Sequence, residues 1–137
     1  MRDSNLFGDE HVRKYEETGG KVGHDWNDTH TLILHTKGRK SGAQRKNPLI
    51  YGRNGDDYLV VASKGGAPDH PDWYLNLMAN PNTTIQVWSD RIPVSARSAT
   101  PEEKKDLWPI MTVQWPDYDA YQQRTERDIP LVILSPR

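Results

Sequence analysis

The sequence predicts an α+β fold in which six mainly antiparallel strands form a barrel, with short helices set between them. Six runs rich in apolar and β-branched residues have the length of strands, and tight turns join the first three. Helical segments precede the fourth and sixth strands, which favours an α+β barrel over a doubly wound sheet. Neither a G-x-G-x-x-G fingerprint nor a P-loop motif is present.

The first three strands are predicted around two glycine-containing turns. They cover His30–Thr36, Lys46–Tyr51 and Asp57–Ser63. Asn54-Gly55 is a strong signal for a two-residue hairpin turn, so the three strands are expected to form an antiparallel meander. Pro48 has no N–H to give to a ladder, which places it at a sheet edge, a strand start or a bulge.

The second half of the chain begins with a helix predicted over Pro71–Ala79 and stopped by Asn80-Pro81. The remaining strands are predicted at Thr83–Trp88, Arg91–Ala96 and Ile129–Ser135.

Two more helices are predicted before the last strand. Thr100 and Glu103 have the spacing of a capping box, and Pro109 is expected to kink or break the helix that they open. The next helix, Asp117–Thr125, places Tyr118 and Tyr121 on one face.

The chain is predicted to be one folded domain, residues 29–137, preceded by a flexible N-terminal segment, residues 1–28. Asp9–Thr18 in this polar segment could form a short helix that ends at Gly19-Gly20. We expect either a frayed terminus or a flap that settles on a ligand, a lipid surface or another subunit.

The composition excludes several classes of site. The chain has no cysteine, so disulfides, iron–sulfur clusters, cysteine zinc sites and thiol nucleophiles are ruled out. Its five histidines show no metal-binding spacing, and no G-x-S-x-G motif is present, so we expect no metal and no hydrolase triad. No apolar run approaches membrane-spanning length, which predicts a cytoplasmic location.

Positive charge is concentrated in one turn, Thr36–Pro48, which we call the basic turn. Residues 29–55 contain six cations and no acid, whereas the rest of the chain has 12 cations and 19 acids. Glycines at 38 and 42 bracket the sequence Arg-Lys-Ser, so amide N–H groups, a hydroxyl and cationic side chains could form an anion cradle. The alternative is a hairpin tip that is basic to prevent sheet–sheet pairing.

Two kinds of ligand would suit such a turn. Single-stranded nucleic acid could use the cations and aromatic residues, but the cations occupy one turn rather than a track along a sheet. A planar cofactor with an anionic tail would place its tail on the basic turn and its ring near Gly65-Gly66 and Trp73-Tyr74. Such a cofactor would supply the chemistry, which fits the lack of a catalytic dyad.

Several motifs, in this order and spacing, resemble the deazaflavin-dependent nitroreductase or F420H2-dependent quinone reductase family over about residues 29–136. They are Gly38-Arg39-Lys40-Ser41-Gly42 with Arg45, Pro48 and Leu49; Val60–Gly66; Pro71 with Trp73–Leu77; Ala79-Asn80-Pro81; Trp108-Pro109; and Pro116, Tyr118, Tyr121-Gln122, Thr125, Arg127 and Ile129-Pro130.

The resemblance implies an FMN-binding split-barrel-like fold, that is, a split β-barrel, and an oxidoreductase that uses coenzyme F420, an 8-hydroxy-5-deazaflavin. Reduced F420 would pass hydride to a quinone-like or nitro-aromatic acceptor. Alternatives that remain open are an FMN-dependent flavin reductase-like enzyme and a cofactor-binding module without turnover. Contact with the inner face of the membrane through residues 1–28 also remains open, and no nucleic-acid partner is expected.

The resemblance also assigns residues by role. The tail would be held by Arg39, Lys40, Ser41, Arg45 and Lys46. The ring would be lined by Asn47, Pro48, Leu49, Ile50, Val61, Ala62, Ser63 and Lys64 and closed by Tyr118. Asp72, Trp73, Tyr74, Leu75 and Asn76 would present helix-start amides and aromatic surface to the cofactor. The acceptor would face Ile50, Ser63, Trp115, Tyr118 and Tyr121, and the candidate proton donors are Tyr118, Tyr121 and Ser63. Ile50 and Trp115 replace tyrosines typical of members that reduce nitroimidazoles, which leaves quinone reduction more open.

Overall fold

The computed structural model describes residues 6–137, which form an α+β split β-barrel. The helices are α1 (Gly8–Thr18), α2 (Asp72–Ala79), α3 (Pro101–Gln114) and α4 (Asp117–Gln123). The strands are β1 (Asp25–Trp26), β2 (Thr29–Lys37), β3 (Gln44–Ile50), β4 (Gly52–Asn54), β5 (Asp57–Val61), β6 (Asn82–Val87), β7 (Asp90–Ser98) and β8 (Leu131–Pro136). The predicted fold class is confirmed, with two short strands, β1 and β4, in addition to the six expected.

One sheet in the order β1-β2-β6-β7-β8-β5-β4 runs through the molecule, and β3 also pairs with β2. All of these pairs are antiparallel. The predicted meander is therefore wrong at its third strand, because β5 pairs with β4 and β8 rather than with β3. The chain leaves its pairing with β2 and begins to pair with β5 at Tyr51-Gly52. The Tyr51 N–H still donates to the His30 carbonyl, whereas Gly52 is the first residue paired with β5.

The sheet has an apolar core on each of two faces. Alternate residues of β5 and β8 belong to different cores: Val60 and Val132 to one, Leu59 and Ile133 to the other. The first core also contains Trp73 and Leu77 of α2, and the second is covered by α3 and α4. A strand that is covered on both faces has a nearly continuous apolar sequence, which is what β5 and β8 show.

Helix α3 continues as one helix through Pro109, so of the predicted kink or break the break does not occur, and the kink stays a prediction. Proline removes the hydrogen bond to the carbonyl four residues earlier, which belongs to Lys105. Both residues lie on the exposed side of the helix, where water can satisfy that carbonyl. The predicted capping box between Thr100 and Glu103 is present.

Helix α1 packs against the sheet and ends at Gly19, which has a left-handed φ of 62°. Its Val12 and Tyr15 form a small third core with Ile33 of β2. Whether residues 1–28 are flexible stays a prediction. Within residues 6–137, no helix combines the length and apolar character needed to span a bilayer.

Candidate active site

A cavity of about 470 Å³ opens between the ends of several elements. Its walls come from strand β3, the end of β5 and the loop after it, the start of α2, the α3–α4 junction and the N-terminal segment. The lining residues that the sequence also predicted are Pro48, Leu49, Ile50, Val61, Ser63, Lys64, Trp73, Trp115, Tyr118 and Tyr121. Its largely apolar walls suit a flat organic ring.

A separate basic cleft of about 250 Å³ lies on the other side of the start of α2. It is lined by Gly38, Arg39, Lys40, Ser41, Arg45, Asp72 and Asn76. Helix α2 therefore contributes to both spaces: Pro71 and Trp73 line the apolar cavity, whereas Asp72 and Asn76 line the basic cleft.

Arg39 is fixed in this cleft by α2. Its backbone N–H and its Nη1 both donate to Oδ1 of the buried Asn76, at 3.1 and 2.8 Å. Its Nη2 is 3.6 Å from Oδ1 of Asp72, a mostly exposed carboxylate. The guanidinium is therefore oriented before any ligand arrives, which lowers the cost of binding.

The backbone of the basic turn is occupied by its own hydrogen bonds. The Gly38 N–H donates to the Ala43 carbonyl and the Gly42 N–H to the Gly38 carbonyl, both at 2.8 Å. The Ala43 N–H donates to Oγ of Ser41 at 3.1 Å. The turn was predicted to expose its amide N–H groups, but these three already donate within the turn. The cationic side chains are therefore the main groups that the turn offers to an anion.

Lys46 faces a different part of the molecule from Arg39 and Lys40. Its Nζ donates to Oε2 of Glu16 on α1 at 2.8 Å, in a groove between α1 and β3 that Arg45 and Asn47 also line. Arg45 lines both this groove and the basic cleft. The five predicted tail residues are thus divided between two spaces that share Arg45.

Of the predicted ring contacts, Asn47 lines the groove between α1 and β3 instead of the cavity. Three predicted cofactor contacts, Ala62, Tyr74 and Leu75, line neither the cavity, the basic cleft nor that groove. Ala62 is fully buried in the first core. Tyr74 packs against that core and its hydroxyl lies 2.6 Å from Oγ of Ser98. Leu75 is on α2 but lines none of these three spaces.

The candidate proton donors meet in the cavity. Tyr118 is buried, its ring lies 6.2 Å from that of Tyr121, and burial raises its pKa well above the ordinary tyrosine value. The Tyr121 hydroxyl accepts a hydrogen bond from Nε1 of Trp115 at 3.3 Å. Ser63 lies across the cavity at the end of β5. A phenol with a raised pKa remains protonated at neutral pH and can act as a hydrogen-bond donor.

The N-terminal segment provides a cavity wall whose residues no sequence motif singled out. This wall consists of Leu6, Phe7, Gly8, His11 and Trp26. The Trp26 ring stacks on Trp115, with centroids 5.9 Å apart and planes at 26°, and its Nε1 donates to the Leu6 carbonyl at 3.0 Å. The signal available in the sequence was the pair of large aromatic residues, Phe7 and Trp26, in an otherwise polar segment.

A polar cluster of His24, Asp25 and His30 lies where β1 pairs with β2, and none of the three residues lines the cavity. Oδ1 of Asp25 lies 2.8 Å from Nδ1 of His24 and 2.9 Å from Nδ1 of His30. The two imidazoles are close to parallel, at 28°, so their in-plane lone pairs do not converge well on one ion. A shared hydrogen-bond acceptor explains the grouping.

The fold and the site together define a split-barrel oxidoreductase with an apolar ring cavity beside a basic cleft. The family model described as F420H(2)-dependent quinone reductase matches residues 8–136. The chain belongs to that family, and its cofactor is coenzyme F420.

Individual relatives agree with this assignment. An F420H(2)-dependent quinone reductase of Mycobacterium tuberculosis (strain ATCC 25618 / H37Rv) is 42% identical over 131 residues, covering 93% of this chain and 88% of the relative. A solved F420-H2 dependent reductase, FDR-A, has a TM-score of 0.71 and 38% identity over 77% of this chain and 93% of its own. A structure described as a domain-swapped dimer has a TM-score of 0.74 and 34% identity over 90% and 92%.

Proposed function

We propose that this protein binds reduced F420 with the ring in the apolar cavity and the anionic tail in the basic cleft, and reduces quinones. The observation that supports this most strongly is the position of α2 between the two spaces. One ligand with a flat ring and a negative tail could cross the start of α2 and occupy both. The cytoplasm is the proposed location, with any membrane contact made through residues 1–28.

The residues present fit this cofactor. Leu49, Val61 and Trp73 offer apolar surface to a ring, and Arg39, Lys40 and Arg45 offer positive charge to a phosphate and carboxylates. The amides of Asp72 and Trp73 precede the first hydrogen bonds of α2, which run from the Tyr74 and Leu75 N–H groups to the Pro71 carbonyl, and a helix start of this kind favours a negative group nearby. Asp72 opposes this charge, but it is largely exposed and therefore well screened.

Bound F420H2 supplies the hydride in this family, and the protein must orient the acceptor and provide a proton. The Tyr118 hydroxyl holds a proton at Oη beside the cavity, and Tyr121 and Ser63 are the other candidate donors. Ile50, Trp115 and the N-terminal wall surround the remaining apolar space, where water is displaced by the ring of the acceptor.

A quinone is favoured over a nitro-aromatic acceptor because positions 50 and 115 carry no phenol hydroxyl. Fewer hydrogen-bond donors therefore face the acceptor than in members with tyrosine at these positions. A quinone needs fewer such donors than a nitro group, because a nitro group is reduced through several steps. Nitro-aromatic reduction is the second candidate activity.

Fluorescence titration with F420 and absorbance assays with F420H2 test this function. We expect saturable binding at micromolar concentration and loss of reduced cofactor when menadione is added. Binding without turnover across a panel of quinones and nitro compounds would indicate a non-catalytic module. A yellow protein with bound FMN and no F420 affinity would contradict the proposal.

A further inference from the structure

One side chain outside the cavity, that of Arg127, connects two of the segments that form its wall. Its Nε donates to the Ala67 carbonyl at 2.8 Å, its Nη2 to the Ser63 carbonyl at 2.7 Å and its Nη1 to the Ala62 carbonyl at 3.3 Å. The same Nη1 is 3.0 Å from Nδ1 of His70. One guanidinium thus holds the loop after β5 and the residue that precedes Pro71.

Both of these segments line the apolar cavity. Ser63, Lys64 and Gly65 belong to the first segment, and Pro71 belongs to the second. Arg127 lines neither the cavity nor the basic cleft. Any influence that it has on a ligand therefore acts through the residues it holds.

The loop after β5 has a backbone that needs external support. Lys64, Gly65 and Gly66 are three consecutive residues with left-handed φ values of 47°, 63° and 83°. This region is disfavoured for a lysine, and such conformations persist where surrounding contacts determine them. The loop's own backbone bonds run from Gly66 N–H to the Ser63 carbonyl and from Ala67 N–H to the Lys64 carbonyl.

Arg127 is itself held in place. Nε2 of Gln122 donates to the Arg127 carbonyl at 2.8 Å, and the Arg127 N–H donates to Oγ1 of Thr125 at 3.3 Å. Within residues 6–137, no carboxylate is within ion-pair distance of its guanidinium. The guanidinium is hydrogen-bonded to backbone carbonyls and one imidazole instead of a carboxylate. Arginine can do this because its planar guanidinium has five N–H donors.

We propose that Arg127 is a positioning residue for cofactor binding, which fixes the loop after β5 and the start of α2 at the separation that the deazaflavin ring requires. The proposal rests on the function proposed above. It gives Arg127 no contact with the cofactor and no part in proton transfer. Its effect is on the shape of the cavity before the ligand enters.

The test compares Arg127→Ala and Arg127→Lys with a matched control, Arg124→Ala. Arg124 is exposed; among the described contacts its side chain makes one long hydrogen bond of 3.4 Å to the Gly65 carbonyl of the same loop, and its guanidinium lies 5.3 Å from the centroid of the Tyr121 ring. The first measurement is amide hydrogen exchange of residues 62–67 in the protein without cofactor. The second is the F420 dissociation constant from fluorescence, and the third is kcat with menadione.

In both Arg127 variants we expect exchange in residues 62–67 to become about tenfold faster and the dissociation constant to rise about tenfold, while kcat at saturating F420H2 changes little. Lysine keeps the charge but cannot reach four acceptors from one ammonium. Arg124→Ala should resemble the wild type in all three measurements. If the alanine variant does not fold, the lysine variant decides the result.

Faster exchange with unchanged F420 affinity would overturn the inference, because Arg127 would then stabilise the loop without shaping the site. Unchanged exchange in both variants would overturn it as well. If wild-type protein binds F420 and the Arg127 variants bind it equally well, this inference fails and the proposed function stands. If wild-type protein shows no saturable binding, both fail.

Discussion

Among single residues, Tyr118 offers the sharpest test of proton supply. Tyr118→Phe removes one hydroxyl and leaves the buried ring in the second core. If this hydroxyl gives the proton, kcat should fall by about 100-fold, in the usual range for a lost general acid. The F420 dissociation constant should change by no more than about twofold, as measured by fluorescence.

Tyr121→Phe is the comparison variant for Tyr118→Phe, because it removes the hydroxyl of the second candidate donor, which accepts from Nε1 of Trp115. Because burial raises the pKa of Tyr118, its proton is retained up to at least about pH 10. The wild-type rate should therefore show no loss from this group between pH 6 and 9. Equal kcat in the wild type and Tyr118→Phe would assign the proton to water or to another hydroxyl.

Arg39 and Lys46 should differ in their contribution to tail binding, although both belong to the basic turn. Arg39→Ala should weaken F420 binding by about 1.5–3 kcal/mol, the range for a hydrogen bond to a charged group. Asn76 keeps the Arg39 backbone N–H as a partner, so the variant should fold. Lys46→Ala should cost less than about 1 kcal/mol, because Lys46 is paired with Glu16.

The difference between these two variants is measured by F420 titration at 50 mM and 300 mM salt. The effect of Arg39→Ala should shrink at the higher salt concentration, since an exposed anion is screened more strongly there. A larger loss in Lys46→Ala than in Arg39→Ala would place the tail in the groove between α1 and β3.

At the scale of elements, α1 is attached to the sheet by more than its apolar stripe. The Tyr15 hydroxyl donates to the Thr31 carbonyl at 3.0 Å and accepts from the Trp88 N–H at 3.0 Å. Tyr15→Phe leaves the buried Thr31 carbonyl and the partly buried Trp88 N–H without that partner, so the free energy of unfolding should fall by about 1–3 kcal/mol. Urea unfolding followed by Trp fluorescence measures the change.

A suitable control for Tyr15→Phe is Tyr74→Phe, because the Tyr74 hydroxyl bonds only to a side-chain hydroxyl, that of Ser98, among its described hydrogen bonds. Ser98 can turn its hydroxyl toward other partners, so a smaller loss is expected. Equal stability of Tyr15→Phe and the wild type would mean that water satisfies the Trp88 N–H after the substitution.

Local sequence signals predicted elements well and their neighbours less well. The capping box at Thr100 and the hairpin signalled by Asn54-Gly55 depend only on nearby residues, and both are present, with the two turn residues at Gly55-Asp56. The second partner of β5 is β8, which lies about 70 residues further along the chain. No local signal around β5 indicates which strand will pair with it. Pro109 is tolerated because its lost hydrogen bond faces solvent, and burial is a property of the tertiary fold.

For the whole molecule, the site could be predicted only where its residues fall in recognisable motifs. The basic turn and the β3, β5 and α2 walls are contiguous runs, so a sequence pattern exposes them. Phe7 and Trp26 reach the same cavity only because α1 and β1 pack against β2. The pairing of Lys46 with Glu16 likewise depends on α1, 30 residues earlier, and no local pattern encodes it.

The pH dependence of stability is a property of the whole fold. Burial lowers the pKa of His24, His35 and His70 below the ordinary value of 6.5. For His35, Lys46 and Arg91 lower it further, whereas Glu16 opposes them. The unfolded chain therefore binds more protons than the native protein at mildly acidic pH.

The sign of this effect follows from linkage. The stabilisation is fully present above about pH 6.5 and is lost as the pH falls through the lower native pKa values. Asp25 and Glu103 have lowered pKa values, to about 2 for Glu103, so their contributions are lost only below about pH 4. The interval from pH 7 to pH 5 thus reports mainly on histidines. The free energy of unfolding, measured with urea, should decrease as the pH falls from 7 to 5. The decrease should be less steep in His35→Gln. A constant value would mean that these histidines take up no extra protons on unfolding.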